Sequence, residues 1–174
     1  MRLLITGGAG FVGSALVRFA LARGHEVMNL DALTYAACPA SLFDVVDHPS
    51  YRFVQADIRD PMAVDRVFAD TEPDAVLHLA AESHVDRSID NAQAFIDTNV
   101  TGTFNLLEAA RTYWTASGEN ERFRFLHVST DEVFGSLSND PAALFSEDSR
   151  YAPRSPYAAS KAAADHLVRA WHET

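Results

Sequence analysis

Residues 2–13 read Arg-Leu-Leu-Ile-Thr-Gly-Gly-Ala-Gly-Phe-Val-Gly, an apolar strand that runs straight into four glycines at 7, 8, 10 and 13. An amphipathic segment, 11–23, follows at once, so the glycines occupy a strand-to-helix turn. Gly7, Gly10 and Gly13 permit a tight turn and a close backbone approach to a pyrophosphate. The amides of Phe11 and Val12 at the helix start would meet the phosphate charge. Half of the chain's eight glycines lie in this turn. A plain glycine-rich turn is the alternative reading, and the strand and helix on either side favour dinucleotide binding.

The rest of the chain repeats the same alternation of short apolar runs and longer amphipathic segments. Strands are expected at 2–6, 26–30, 51–55, 75–79 and 122–129, and helices at 11–23, 41–46, 61–70 and 91–115. A last helix starts near Ser155 and Pro156 and runs to the end of the chain. Asp60 can cap the helix that Pro61 opens. The segment 131–154, with Gly135, Pro141 and Pro153, reads as a long functional loop. This order predicts an α/β fold, a Rossmann-type doubly wound parallel sheet flanked by helices, with residues 1–174 as one NAD-binding domain.

Composition narrows the function. In 174 residues, 14 Lys and Arg face 24 Asp and Glu, for a formal net charge of −10. That excess works against nucleic acid and anionic membranes, which are held through basic side chains. No run approaches a membrane span. The opening 24 residues imitate a secretory signal, but the glycines and Arg18 break it. One cysteine, Cys38, excludes a disulfide scaffold, so a cytoplasmic, reducing setting is expected. The seven histidines have no ligand spacing, so no metal is expected.

Three further motifs carry chemistry. Asp31, just past the second strand and 18 residues beyond Gly13, can accept hydrogen bonds from ribose hydroxyls and would repel a 2′-phosphate. With Ala32, Leu33 and Thr34 following and no Arg among them, NAD is favoured over NADP; a solvated turn Asp is the alternative. The only lysine among the 14 basic residues, Lys161, stands four residues after Tyr157. On a helix that spacing shares a face, so the ammonium can lower the Tyr157 pKa and make it a base toward a substrate hydroxyl. Ser129, Thr130, Asp131 and Glu132 end the fifth strand, where open α/β sheets place ligands. Thr130 can hold the hydroxyl, and two adjacent carboxyls can serve as acid and base.

Weaker candidates line the other strand ends. Asp57 and Ile58 could flank an adenine, and Leu79, Ala80 and Ala81 are small enough for a cofactor to pack closely. Ser83 and His84 follow them. Thr98 and Asn99 in the long helix fit packing better than ligand, although their level could meet the cofactor.

At these residues the chain resembles the extended short-chain dehydrogenase/reductase family, and within it the dTDP-glucose 4,6-dehydratases. The resemblance runs through GGAGFVGS, LDALTYA, ADIRD, LAAESHVDRSI, TNVTGTFNLLEAAR, HVSTDEVFG and RSPYAASKAAADHLVRAWHET. Asp131-Glu132 discriminates, since related sugar epimerases usually carry small residues there. Ala32 stands where the family often has Lys, Ala37-Cys38 where it has Gly-Asn, and Phe134 where it has Tyr.

The resemblance implies tightly held NAD, contacted also by Ser83, Thr98, Ser129, Tyr157 and Lys161, and a nucleotide sugar met by Ser83, His84 and Thr130. It implies oxidation at carbon 4 by Tyr157 with Lys161 and Thr130. Elimination of water across carbons 5 and 6 by Glu132 and Asp131 follows, and hydride returns to carbon 6. Family members continue into a C-terminal substrate domain that this chain lacks, so the 174 residues are expected to bind NAD without turnover. A nucleotide-sugar epimerase or decarboxylase and a non-catalytic NAD-binding fragment stay open. The helices at 91–115 and 155–171 resemble the family's dimer-forming helices, yet Ala163, Leu167 and Ala170 would look the same on an intramolecular core face.

Overall fold

The computed structural model describes residues 1–137 and 142–174; Pro141 of the expected loop lies outside them. They gather into two compact units. The first comprises Met1–Ala80 and Asn105–Val128, the second Ala81–Phe104 and Ser129–Thr174.

The first unit is a five-stranded, all-parallel sheet in the order β3-β2-β1-β4-β5. Its strands are β1 (Arg2–Thr6), β2 (Glu26–Asp31), β3 (Tyr51–Gln55), β4 (Ala75–His78) and β5 (Arg124–His127). Alternation along β1 splits the core in two. Leu3 and Ile5 pack with Val17, Ala20 and Leu21 of α1 (Phe11–Ala22). Leu4 joins Val64, Val67 and Phe68 of α2 (Pro61–Thr71) and Leu106, Ala109 and Ala110 of α5 (Thr103–Ala116). Helices therefore cover both faces, as a doubly wound sheet requires. Asp60 caps α2 through Met62 and Ala63 N–H.

The expected helix at 41–46 is replaced by a 3₁₀ turn, Pro39–Leu42, followed by further turns. Its bonds run Phe43 N–H to Ala40 and Val45 N–H to Leu42, the tight i to i+3 spacing. The segment's start is held from outside it, where Cys38 N–H donates to the Ala9 carbonyl, and Pro39 opens the turn. The fourth and fifth strands are shorter than expected, ending at His78 and spanning Arg124–His127.

The second unit contains α3 (Val85–Asp90), α4 (Ala92–Phe95) and α6 (Pro156–Glu173). The single helix expected at 91–115 is broken into α4, a π-helical segment, Ile96–Gly102, and α5. Buried Asn99 explains the wide turn. Its Nδ2 donates to the Glu82 carbonyl and to Ser160 Oγ, both at 2.9 Å, and its Oδ1 accepts Glu82 N–H at 2.8 Å. The Asn99 carbonyl meanwhile accepts the Thr103 hydroxyl at 2.6 Å. These side-chain bonds displace regular helical ones. The expected loop at 131–154 begins with a 3₁₀ turn, Asp131–Phe134, capped by Thr130.

Candidate functional site

In the first unit, the glycine turn is a main-chain cradle. Gly7 has φ +74°, and a Cβ there would lie 2.7 Å from Ala80 N. A Cβ on Gly13 would collide with the Gly7 carbonyl oxygen. Glycine is thus required at both positions by conformation or by contact. Gly10 N–H donates to Gly7 O at 3.1 Å, and Ser14 N–H to Gly10 O at 2.9 Å. Among the described residues no side chain caps α1, and its first turn holds no acid. Phe11 and Val12 are exposed. An uncapped helix N-terminus under a glycine turn suits an anion.

Asp31 anchors the next loop. Its Oδ2 accepts Ala9 N–H at 2.9 Å and its Oδ1 accepts Leu33 N–H at 2.8 Å. Leu33 consequently sits in the left-handed region at φ +54°, a strained conformation for a residue with a side chain, beside half-buried Ala32 and exposed Thr34. One N–H on each oxygen leaves lone pairs for ribose hydroxyls. The cradle that a Cβ would fill, the open helix end and the buried acid fit the dinucleotide expected from the sequence.

Other expected positions are taken up locally. Asp57 receives the Arg59 guanidinium at 2.6–3.0 Å and its N–H at 2.9 Å. Burial would raise this carboxyl, but the Arg59 bonds outweigh it and hold it below the usual range. Buried Ile58 gives its carbonyl to Asn105 Nδ2 at 3.0 Å. Leu79 and Ala80 donate their N–H groups to Thr6 Oγ1 at the end of β1.

The second unit brings together the expected reaction residues. Ser155 caps α6, accepting Ala158 N–H at 3.0 Å, which fixes the helix turn that carries Tyr157. Tyr157 is half-buried with its ring edge-on to Phe95 at 6.3 Å, and Thr130 is among the groups that act on its phenol. Thr130 Oγ1 also accepts Glu132 N–H at 3.3 Å. Lys161, buried one turn further on, faces the same way.

Burial raises the Tyr157 pKa; Thr130 works against it, and the charges of Glu132, Asp131 and Asp165 add to the rise. Burial also draws Lys161 down to about 8, opposed by Asp165. The expected lowering of the Tyr157 pKa by Lys161 is therefore not met in the protein alone. Burial of the phenol, with the nearby carboxylates adding to it, sets the direction.

Ser129 donates its hydroxyl to Asp165 Oδ2 at 2.6 Å. Tyr151 gives its hydroxyl to the same oxygen at 2.9 Å. Sequence reasoning passed over Asp165, although it continues the stripe of Tyr157 and Lys161 by one more turn. It also passed over Ser160, which accepts from Asn99 and donates to the Tyr157 carbonyl at 2.7 Å. Ala81 and Thr98 are half-buried, and Ser83 and His84 are exposed just before α3. Among the described residues no group of His, Cys, Asp or Glu could hold a metal ion, and no helix is long and apolar enough to cross a membrane.

The family model described as GDP-mannose 4,6 dehydratase matches residues 4–174. The dTDP-glucose 4,6-dehydratase of Neisseria gonorrhoeae is 59% identical over 175 residues, 99% of this chain and 50% of that protein. The dTDP-glucose 4,6-dehydratase 1 of Escherichia coli K12 is 54% identical over 184 residues, 100% of this chain and 51% of that protein. The chain thus spans about half the length of these curated relatives. Among solved structures, DesIV, a dTDP-glucose 4,6-dehydratase from Streptomyces venezuelae with NAD and TYD bound, superposes with a TM-score of 0.88 at 47% identity. It is matched over 100% of this chain and 52% of that one. A UDP-glucose 4-epimerase from Thermus thermophilus, in complex with NAD, gives a TM-score of 0.85 at 34% identity, over 99% and 51%.

Proposed function

Because the chain belongs to the GDP-mannose 4,6-dehydratase family, we propose that it is the NAD-binding part of a dTDP-glucose 4,6-dehydratase that works joined to a nucleotide-gripping domain. One observation carries this reading. The Tyr157 phenol lies within the influence of Thr130, Asp131 and Glu132, so the proposed base and elimination pair share one neighbourhood.

The Gly7 to Gly13 turn and the α1 amides would hold the pyrophosphate of NAD, and Asp31 its adenosine ribose. When bound, NAD supplies the hydride acceptor at carbon 4 and the donor at carbon 6. Thr130 orients the carbon-4 hydroxyl, and Tyr157 removes its proton with Lys161 beside it. The 4-keto group acidifies the proton on carbon 5. Glu132 takes that proton while Asp131 protonates the carbon-6 hydroxyl, which leaves as water. The product is a 4-keto-6-deoxy sugar.

The test incubates dTDP-glucose with the chain joined to its substrate domain and reads loss of water by mass. Asp131→Asn and Glu132→Gln each stop elimination while NAD stays bound; elimination at the unsubstituted rate in either would refute the assignment. An epimerase, sharing only the Tyr157 and Lys161 oxidation, would leave the mass unchanged. A cytoplasmic setting suits the exposed free thiol of Cys38. A homodimer suits the exposed Ile89, Ile96 and Phe104 of the second unit.

A further inference from the structure

Asp165 stands on the face of α6 that carries Tyr157 and Lys161, and one of its oxygens collects two hydroxyls from outside that helix. Ser129, the first residue of the STDE run, donates at 2.6 Å, and Tyr151 donates at 2.9 Å. Tyr151 belongs to an aromatic group: its ring meets Phe134 at 5.5 Å and His166 at 5.0 Å. Phe134 closes the 3₁₀ turn that begins with Asp131 and Glu132, and Ala152 N–H donates to the Val133 carbonyl at 2.9 Å. Both ends of the turn bearing the expected acid and base therefore lead back to a single carboxylate.

We propose that Asp165 is a positioning residue: through Ser129 and Tyr151 it holds the Thr130, Asp131 and Glu132 turn against α6, and its charge supports the Lys161 ammonium one turn away. Two hydroxyl donors on an ionised oxygen make charge-assisted bonds stronger than neutral ones. An opposite charge at helical i, i+4 spacing favours the ammonium.

The direction found for Lys161 agrees, since burial lowers it and Asp165 raises it. The elements packed against α6 carry the charged groups Asp86, Arg87 and Asp90 on α3, Asp97 on the π segment, and Asp131 and Glu132. Asp165, one turn along α6 itself, is the charge found to raise Lys161. That the turn and Lys161 serve a reaction rests on the dehydratase reading above, whereas both readouts below are free of turnover. Their failure and that of the assignment are distinguishable.

Because the chain has one lysine, incorporation of ¹³Cε-lysine gives a single signal whose pH titration reports Lys161 directly. In Asp165→Asn, which keeps an oxygen for Ser129 and Tyr151 but loses the charge, the Lys161 midpoint falls by about half a unit or more. In Ser129→Ala combined with Tyr151→Phe the midpoint holds, while amide exchange at Glu132 and Val133 speeds up about tenfold. A midpoint unchanged in Asp165→Asn overturns the electrostatic role, and unchanged exchange in the hydroxyl variants overturns the anchoring role. If Asp165→Asn does not fold, Asp165→Glu carries the test. It restores the charge, so the midpoint stays while the turn amides loosen, and a fallen midpoint there refutes the proposal.

Discussion

The hydroxyl oxygen of Thr6 lies 2.7 Å from Nδ1 of buried His78, and it also takes the N–H groups of Leu79 and Ala80 at 3.2 and 3.1 Å. The Leu79 N–H is shared with the Thr6 carbonyl at 3.1 Å, so the Ala80 N–H is the amide that depends on the hydroxyl. Thr6→Val removes donor and acceptor together and strands the Ala80 amide. The expected loss is about 1–3 kcal/mol by denaturant unfolding, largely recovered in Thr6→Ser. Equal stability of Thr6→Val and the parent would show that the network carries no weight.

Gly13→Ala drives a methyl into the Gly7 carbonyl, whereas a Cβ at Gly10 would stand 3.2 Å from the same oxygen, where a small shift relieves it. Calorimetric titration with NAD should therefore find at least about a tenfold weakening for Gly13→Ala and a milder one for Gly10→Ala. A reversed order would disprove the cradle.

Asp31→Asn keeps an oxygen for either Ala9 or Leu33 but loses the charge. We expect NAD to bind about tenfold more weakly and the discrimination against NADP to shrink, as read by parallel titrations. Asp31→Ala also removes the acceptor that holds Leu33 at positive φ. Faster amide exchange through residues 31–34 follows. A variant still favouring NAD as strongly as the parent would exclude Asp31 from cofactor choice.

Lys161 provides a pH test of stability. Its folded pKa, about 8, lies below the ordinary lysine value of 10.5. Between those limits the unfolded chain binds more protons than the folded one, so this group's contribution to stability rises with pH across that window and is flat below it. Relative to Lys161→Met, which has no such titration, the parent should gain stability from pH 7 to pH 9.5. The comparison cancels the raised tyrosines, whose contribution falls only from their ordinary value of 10.0 upward. A gap between parent and variant that stays constant with pH would contradict the burial of a titrating ammonium.

Much of this was legible from residue order. β1 to β4 announce themselves as short apolar runs, and β1 ends in glycines that only a close approach explains. Tyr157 and Lys161 share a face by spacing alone. The π segment escapes periodicity, because apolar positions on either side of one wide turn still look helical. Its cause, the three bonds made by the Asn99 side chain, joins residues 17 and 61 positions apart. α3 is short and polar, so nothing in VDRSID distinguishes it from a loop. Asp165 reads as one surface acid among many until Ser129 and Tyr151 are seen to converge on it. Lys161 was found by scarcity, but its depressed pKa depends on burial that only packing creates.

The cradle at the end of β1 has a bearing on descent. Its contacts are main chain to main chain, with Phe11 and Val12 turned outward. Mutational drift at those exposed positions leaves the amides where they are, while Gly7 and Gly13 have no acceptable single-step neighbour. Selection on the cradle therefore falls on very few positions. On the reading proposed above, Asp31 is the side chain through which a lineage would exchange one dinucleotide for another.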